Sequence, residues 1–187
     1  MSSLHKIVDQ HMSIMKTTDG KSFYGQFTDI PVTTRVSNFN SPRRLFRVKP
    51  RSALSIGDTF YDPNGQIFLT AEHGDQFLKG KHLYTHYKLF EMHHVAALGR
   101  KGAKVKHPVS KIEVEGPVVW EQGIYLAFEL RSTGSDTIGV PINRQQIITG
   151  SEIEEGDLIL LNDWEETATI KRVDKQLGVY IGQIDYE

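Results

Sequence analysis

Leu54-Ser55-Ile56-Gly57-Asp58-Thr59-Phe60-Tyr61-Asp62-Pro63-Asn64-Gly65-Gln66-Ile67-Phe68-Leu69-Thr70 decides the fold, because a looser copy of it returns near the C-terminus. The copy runs Ile153-Glu154-Glu155-Gly156-Asp157-Leu158-Ile159-Leu160-Leu161-Asn162-Asp163-Trp164-Glu165-Glu166-Thr167-Ala168-Thr169-Ile170. In each, a Gly-Asp pair opens a short apolar run, a polar turn follows, and a second run rich in β-formers leads out. That order spells a β-hairpin, with branched and aromatic residues on either side of residues that tolerate turn dihedrals. The Gly-Asp pair is the bend that feeds the first strand, since Gly accepts positive φ and Asp can bond nearby backbone amides.

Working outward, 187 residues suffice for two small domains, and the repeated hairpin favours two over one. A hydrophobic content of 39% with 24% charged residues is ordinary for a globular chain. The absence of cysteine excludes disulfides and thiolate metal sites, and fits an intracellular product. Neither an export signal nor a membrane anchor is expected, since no apolar run nears the length of a bilayer span. The formal net charge of −1 hides an asymmetry. Residues 1–111 carry 17 Lys/Arg against 8 Asp/Glu, and residues 112–187 carry 5 against 15. These are either two solvated faces or the two sides of a heterologous contact, in which the basic part of one copy meets the acidic part of the next.

Along the chain, Leu4, Ile7, Val8, His11, Ile14 and Met15 recur at spacings of three and four, which predicts a short amphipathic helix over 3–15. Strands are expected at 23–27 and 32–36, with a loop at 38–42. Glu72–Lys81 reads as a loop, and Leu83–Met92 as a strand completing a first barrel. Gly99–Pro108 is basic and glycine-rich and reads as an exposed connector. Lys111–Glu115 alternates, which would turn Ile112 and Val114 inward. Val118–Trp120 and Ile124–Leu130 flank a Glu121-Gln122-Gly123 turn and predict a hairpin. Arg131–Gly139 is a polar loop, Val140–Ile148 a returning strand, and Gly178–Tyr186 a final strand matching 83–92. The expectation is a mainly β protein: two small β-barrel or β-sandwich modules in tandem, with a short N-terminal helix and long loops. The helix and first module fill 1–98, a basic linker 99–110, and the second module 111–187.

Enzyme signatures are not found: the chain has no cysteine nucleophile, no phosphate-cradling glycine loop and no Gly-x-Ser-x-Gly elbow. A hydrolase built on Asp58 or Asp157 has only the pairing of those positions behind it. His82 and His86 would lie about 13 Å apart on one side of a strand, too far to share an ion. No metal, no cofactor and no catalytic residue is therefore expected. The most basic segment, Arg43–Arg51, places Phe46 and Val48 on one side of a strand and Arg43, Arg47, Lys49 and Arg51 on the other. Arg43, Arg44, Arg47, Lys49 and Arg51 form the expected basic contact ridge, facing phosphates, a partner's carboxylates or water. With Phe39 and Phe46 as its nearby aromatics, the segment shows no stacking platform for single-stranded nucleic acid. Glu152, Glu154 and Glu155 are the expected acidic side of a subunit contact, and Lys101, Lys104 and Lys106 are candidate DNA contacts.

With these pieces in order, the chain resembles the small β-barrel proteins of tailed-bacteriophage necks, the head-closure or head-to-tail joining (connector) family. The resemblance rests on the basic strand Arg43–Arg51, the Leu-Ser-Ile-Gly-Asp lead-in at Leu54–Asp58, the Asp-Pro-Asn-Gly turn at Asp62–Gly65 and the apolar strand Ile67–Thr70. It covers about half of the chain, which departs from that family in its length and doubling. The resemblance implies a structural virion protein, made in the host cytoplasm and placed in the neck or tail. It also implies a ring of copies of itself, contacts with adjoining portal, neck or tail proteins, and double-stranded DNA passing through the lumen without sequence-specific binding. A second reading stays open, a nucleic-acid-binding protein of oligonucleotide-barrel type that uses the strand Arg43–Arg51.

Overall fold

The computed structural model describes residues 12–29, 44–133, 142–161 and 167–186, and among these every regular element is a strand. They are β1 (Ser13–Thr17), β2 (Ser22–Asp29), β3 (Arg44–Val48), β4 (Thr59–Tyr61), β5 (Ile67–Leu78), β6 (Lys81–Met92), β7 (His94–Lys106), β8 (Glu113–Thr133), β9 (Ile142–Thr149), β10 (Leu158–Leu161), β11 (Thr167–Gln176) and β12 (Val179–Tyr186). Among the described residues no helix is long and apolar enough to cross a membrane. The chain divides into two units, Met1–His93 with Gln176–Val179, and His94–Lys175 with Tyr180–Glu187.

Each unit is a closed six-stranded barrel, and the two share one strand order. In the first, the neighbours run β1-β2-β3-β6-β5-β4, closed by β4 against β1 with Lys16 opposite Tyr61 and Thr17 opposite Phe60. In the second they run β7-β8-β9-β12-β11-β10, closed by β10 against β7 from Leu158 opposite Gly99 to Leu161 opposite Ala96. Closure pairs what would otherwise be sheet edges.

The Gly-Asp corner performs this closure identically in both barrels. Gly57 takes φ 88° and Gly156 φ 91°, a left-handed conformation that a side chain would strain. Gly57 N–H donates to Thr70 O at 2.9 Å, and Thr70 N–H returns a bond to Asp58 O at 3.0 Å. Gly156 and Asp157 make the same pair of bonds with Ile170, each 2.8 Å. The carboxylates add a cap: Asp58 Oδ2 accepts from Ser55 N–H at 2.7 Å, and Asp157 Oδ2 from Glu154 N–H at 2.8 Å. Just before each corner an apolar side chain, Leu54 or Ile153, is driven into its barrel. In the first barrel Tyr87 also fixes this segment, donating its hydroxyl to Leu54 O at 2.7 Å, and burial pushes its phenol pKa up. The Asp62–Gln66 turn joins β4 to β5, with Asp62 Oδ1 accepting from the amides of Asn64 and Gln66 at 2.8 Å each.

The cores are filled differently. Phe23, Phe46, Phe60 and Phe68 are buried in the first barrel with Phe27 packed against them, at ring separations of 4.9–6.3 Å in edge-to-face and tilted arrangements. Aliphatic residues fill the second: Leu98, Ile124, Leu126, Ile147, Ile153, Ile159, Leu161 and Ile170. The Phe46 ring occupies the space over Gly25, where an added Cβ would lie 2.0 Å from its nearest ring carbon.

Several expectations are corrected. Residues 13–15, assigned to a helix by spacing, lie in β1, where Met15 and Thr17 point inward and Ile14 outward; residues 3–11 of that helix lie outside the described residues. Residues 32–42 and the turn 162–166 are also outside. Glu72–Lys81 is the continuation of β5 into β6 around Lys79-Gly80. The expected connector at 99–110 is mostly strand, because 99–106 belongs to β7 and pairs with β8, and the boundary between units falls at His93/His94. The Glu121-Gln122-Gly123 hairpin is one long strand, β8, in which Gly123 takes φ 80° without reversing the chain. Ile112 and Val114 are exposed, since this stretch runs past the barrel and has no core to face. Positions 134–141 of the expected loop Arg131–Gly139 are not described, and 131–133 end β8.

Gly25→Ala is expected to destabilise the protein by about 1–3 kcal/mol through overpacking. Much of that cost should vanish in a Phe46→Leu background, as measured by a double-mutant cycle in denaturant. Asp157→Ala, which leaves the corner amide of Glu154 without its carboxylate acceptor, should cost about 1 kcal/mol in thermal unfolding.

Candidate functional site

Strand alternation in the first barrel sends Met15, Phe23, Gly25, Phe46, Val48, Thr85, Tyr87 and Leu89 inward. It therefore sends Ile14, Tyr24, Arg47, Lys49, Tyr84, His86 and Lys88 outward, onto one face shared by β1, β2, β3 and β6. Register aligns them in rows. Ile14 lies opposite Tyr24. Gln26 lies opposite Arg47, and Arg47 opposite His86. One residue further along the same registers, Lys49 falls between Tyr24 and Tyr84. The Lys49 Nζ sits over the Tyr24 ring at 5.2 Å, and the Arg47 guanidinium carbon over the Tyr84 ring at 4.9 Å. Tyr24 is 50% exposed and Ile14 60%. The His86 ring lies across Gly74, where an added Cβ would come within 2.6 Å of it. Glu72 stands at the margin of this face and pairs with Lys88 at 2.5 Å.

The expected ridge is therefore narrower than the sequence reading made it, and wider in composition. Arg47 and Lys49 point outward as expected. Arg44 shares the inward parity of Phe46 and lies at the barrel end, 5.7 Å from the centroids of both Phe27 and Phe68. Arg51 stands in the turn after β3 with φ 63°, and is exposed. Arg43 lies outside the described residues. Tyr24, Tyr84 and His86 were not read as part of the site, although a signal existed: Phe23-Tyr24-Gly25-Gln26-Phe27 and Tyr84-Thr85-His86-Tyr87-Lys88 both alternate. What could not be read was that β3 lies between β2 and β6.

The other candidates belong to the second unit. Glu152, Glu154 and Glu155 are exposed beside its corner. Glu152 O accepts a bond from Arg100 at 2.8 Å, and Glu154 supplies the amide that caps onto Asp157. Lys101 pairs with Glu115 at 3.2 Å, while Lys104 and Lys106 are exposed towards the tip of the β7–β8 hairpin. With the boundary at His93/His94, the first unit holds 12 Lys/Arg against 8 Asp/Glu and the second 10 against 15. The charge contrast persists in smaller size, because the basic run 100–111 belongs to the acidic unit.

Both barrels extend hairpins beyond their closed part. The β5–β6 ribbon carries Phe77 and Leu78 exposed, with Phe77 stacked on His82 at 5.0 Å. On the same ribbon Asp75 Oδ1 accepts from the Thr85 hydroxyl at 2.6 Å and lies 3.2 Å from His82 Nε2. Among the described residues no group of three His, Cys, Asp or Glu is placed to hold a metal ion. The β7–β8 ribbon carries Val105, Val109, Ile112, Val114, Val119 and Trp120 exposed. Comparison with known proteins returned no match, whether to a family, to a curated sequence or to a solved structure.

The Thr85 hydroxyl, aided by the nearby His82 and His73, holds the Asp75 carboxyl below its ordinary 3.8. A lowered carboxylate pKa favours the fold above the ordinary range, and that contribution is lost as pH falls through the lowered value. Carboxyl-detected NMR titration should place the Asp75 midpoint below 3.8, and Thr85→Val should raise it. A midpoint unmoved by Thr85→Val would contradict this assignment.

Proposed function

We propose that the chain is a structural, ring-forming component of a tailed-bacteriophage neck, a head-to-tail connector or head-closure protein that joins portal to tail without covalent chemistry. The observation that carries the reading is the pair of ribbons. The outer edges of β5 at 75–78 and β6 at 81–84, and of β7 at 100–106 and β8 at 113–123, have no partner strand among the described residues. These stretches also hold exposed apolar side chains, with Phe77 at 55%, Val105 at 50% and Val119 at 65%, and the turn between β7 and β8 adds Val109 and Ile112. Unpaired strand edges bearing apolar side chains are templates for strand addition and subunit packing. The resemblance of the Gly-Asp corner and the contrast of charge between the units support head-to-tail contacts between copies. In this reading the corners and cores hold two rigid bodies, and the ribbons reach the neighbouring subunits and the adjoining virion proteins.

Light scattering of the purified protein should show discrete oligomers at low salt. Phe77→Ser with Leu78→Ser, and separately Val114→Ser with Val119→Ser, should shift the distribution to monomer while leaving thermal unfolding in place. A monodisperse monomer at every salt and concentration would overturn the self-assembling reading.

A further inference from the structure

We infer that the outward face of β1, β2, β3 and β6 is a binding site for single-stranded nucleic acid, centred on Tyr24, Arg47, Lys49 and Tyr84. The inference does not depend on ring formation, because every residue in it belongs to one barrel.

Its first support is charge. Arg47 makes no ion pair among the described residues; what it contacts is the Tyr84 ring. Around it stand Lys49, Lys88 and His86, and Glu72, a carboxylate at the margin among the described residues, is engaged by Lys88. A face with several cations and little carboxylate suits a polyanion. The second support is the placing of the aromatic rings. Tyr24 and Tyr84 flank Lys49 on the two neighbouring strands, so their backbones are set about 10 Å apart, with Lys49 over the Tyr24 ring and Arg47 over the Tyr84 ring. Tyr24, half exposed, and Tyr84, partly buried, each hold a cation against the ring, and two unstacked bases joined through a phosphate would stack on the rings as the cations turn to the phosphate. A duplex keeps its bases stacked on one another and has no use for those rings, and an acidic peptide would need only the cations. The third support is rigidity. The rings and Arg47 rise from paired strands over a packed phenylalanine core, and His86 is seated on Gly74, so the backbone that carries them is ordered before binding.

The test is fluorescence anisotropy of a labelled 20-nucleotide oligothymidylate with the full chain, beside a duplex of equal length and polyglutamate as competitor. The expected result is tighter binding of the single strand than of the duplex, and little competition by polyglutamate. Tyr24→Ala and Tyr84→Ala should each weaken binding about fivefold or more. Arg47→Gln should lower the salt slope by about one. Lys171→Gln, at an exposed position of β11 in the other unit, serves as the control and should change neither. Circular dichroism and thermal unfolding confirm that each variant is folded, and light scattering on the same samples reads assembly separately. No binding at low salt, equal binding of duplex, displacement by polyglutamate, or indifference to both tyrosine substitutions would each overturn the inference.

Discussion

Everything in this chain depends on a bend made by two residues. At Gly57-Asp58 and Gly156-Asp157 a glycine in the left-handed region turns the backbone, and the following aspartate accepts the amide three residues before it. The bend exchanges two backbone bonds with the strand that follows. It delivers Leu54 or Ile153 to the core and launches the short strand that meets the first strand of its barrel. Without it β4 and β10 would not reach the strands that close the barrels. With it, the twelve strands of the described residues form two closed bodies of one topology.

That the same bend serves two differently filled cores shows what has been kept between the halves. The backbone bonds recur, while the interior is aromatic in one barrel and aliphatic in the other. Thr70 adds hydroxyl bonds to Ser55 O and Asp58 O at 2.6 and 2.9 Å, and its counterpart Ile170 has no hydroxyl to offer. The backbone arrangement is thus sufficient to form the corner, and side-chain detail is an addition to it.

Much of the fold was legible because its signals are local. The Gly-Asp pairs, the Asp62–Gln66 turn and the alternating runs at 22–29 and 81–92 each carry their reason within a few residues. The ribbons were misread because composition points the wrong way there. Gly99, Gly102 and four basic residues at 100–106 read as a connector, yet Gly102 and Gly116 let two backbones pass closely, with an added Cβ at Gly102 only 2.5 Å from Pro117 O. The short helix was drawn over Ile14 and Met15 because spacings of three and four can be satisfied by residues that, in β1, simply alternate. The candidate face was half legible. Arg47 and Lys49 were visible from the parity of one strand, whereas Tyr24 and Tyr84 join them only through the order β2-β3-β6, a long-range property of the closed barrel.

Open-edged ribbons and a cationic, aromatic face on closed barrels are the features on which the proposed assembly and binding rest. The ribbons concentrate apolar surface where no barrel covers it, and the face offers charge and π-surface on a fixed frame. Electron microscopy of the purified protein at low salt tests the assembly account most directly. The account predicts class averages of closed rings with rotational symmetry and a central channel wide enough for a DNA duplex. Isolated single particles or open, unsymmetrical chains would contradict it.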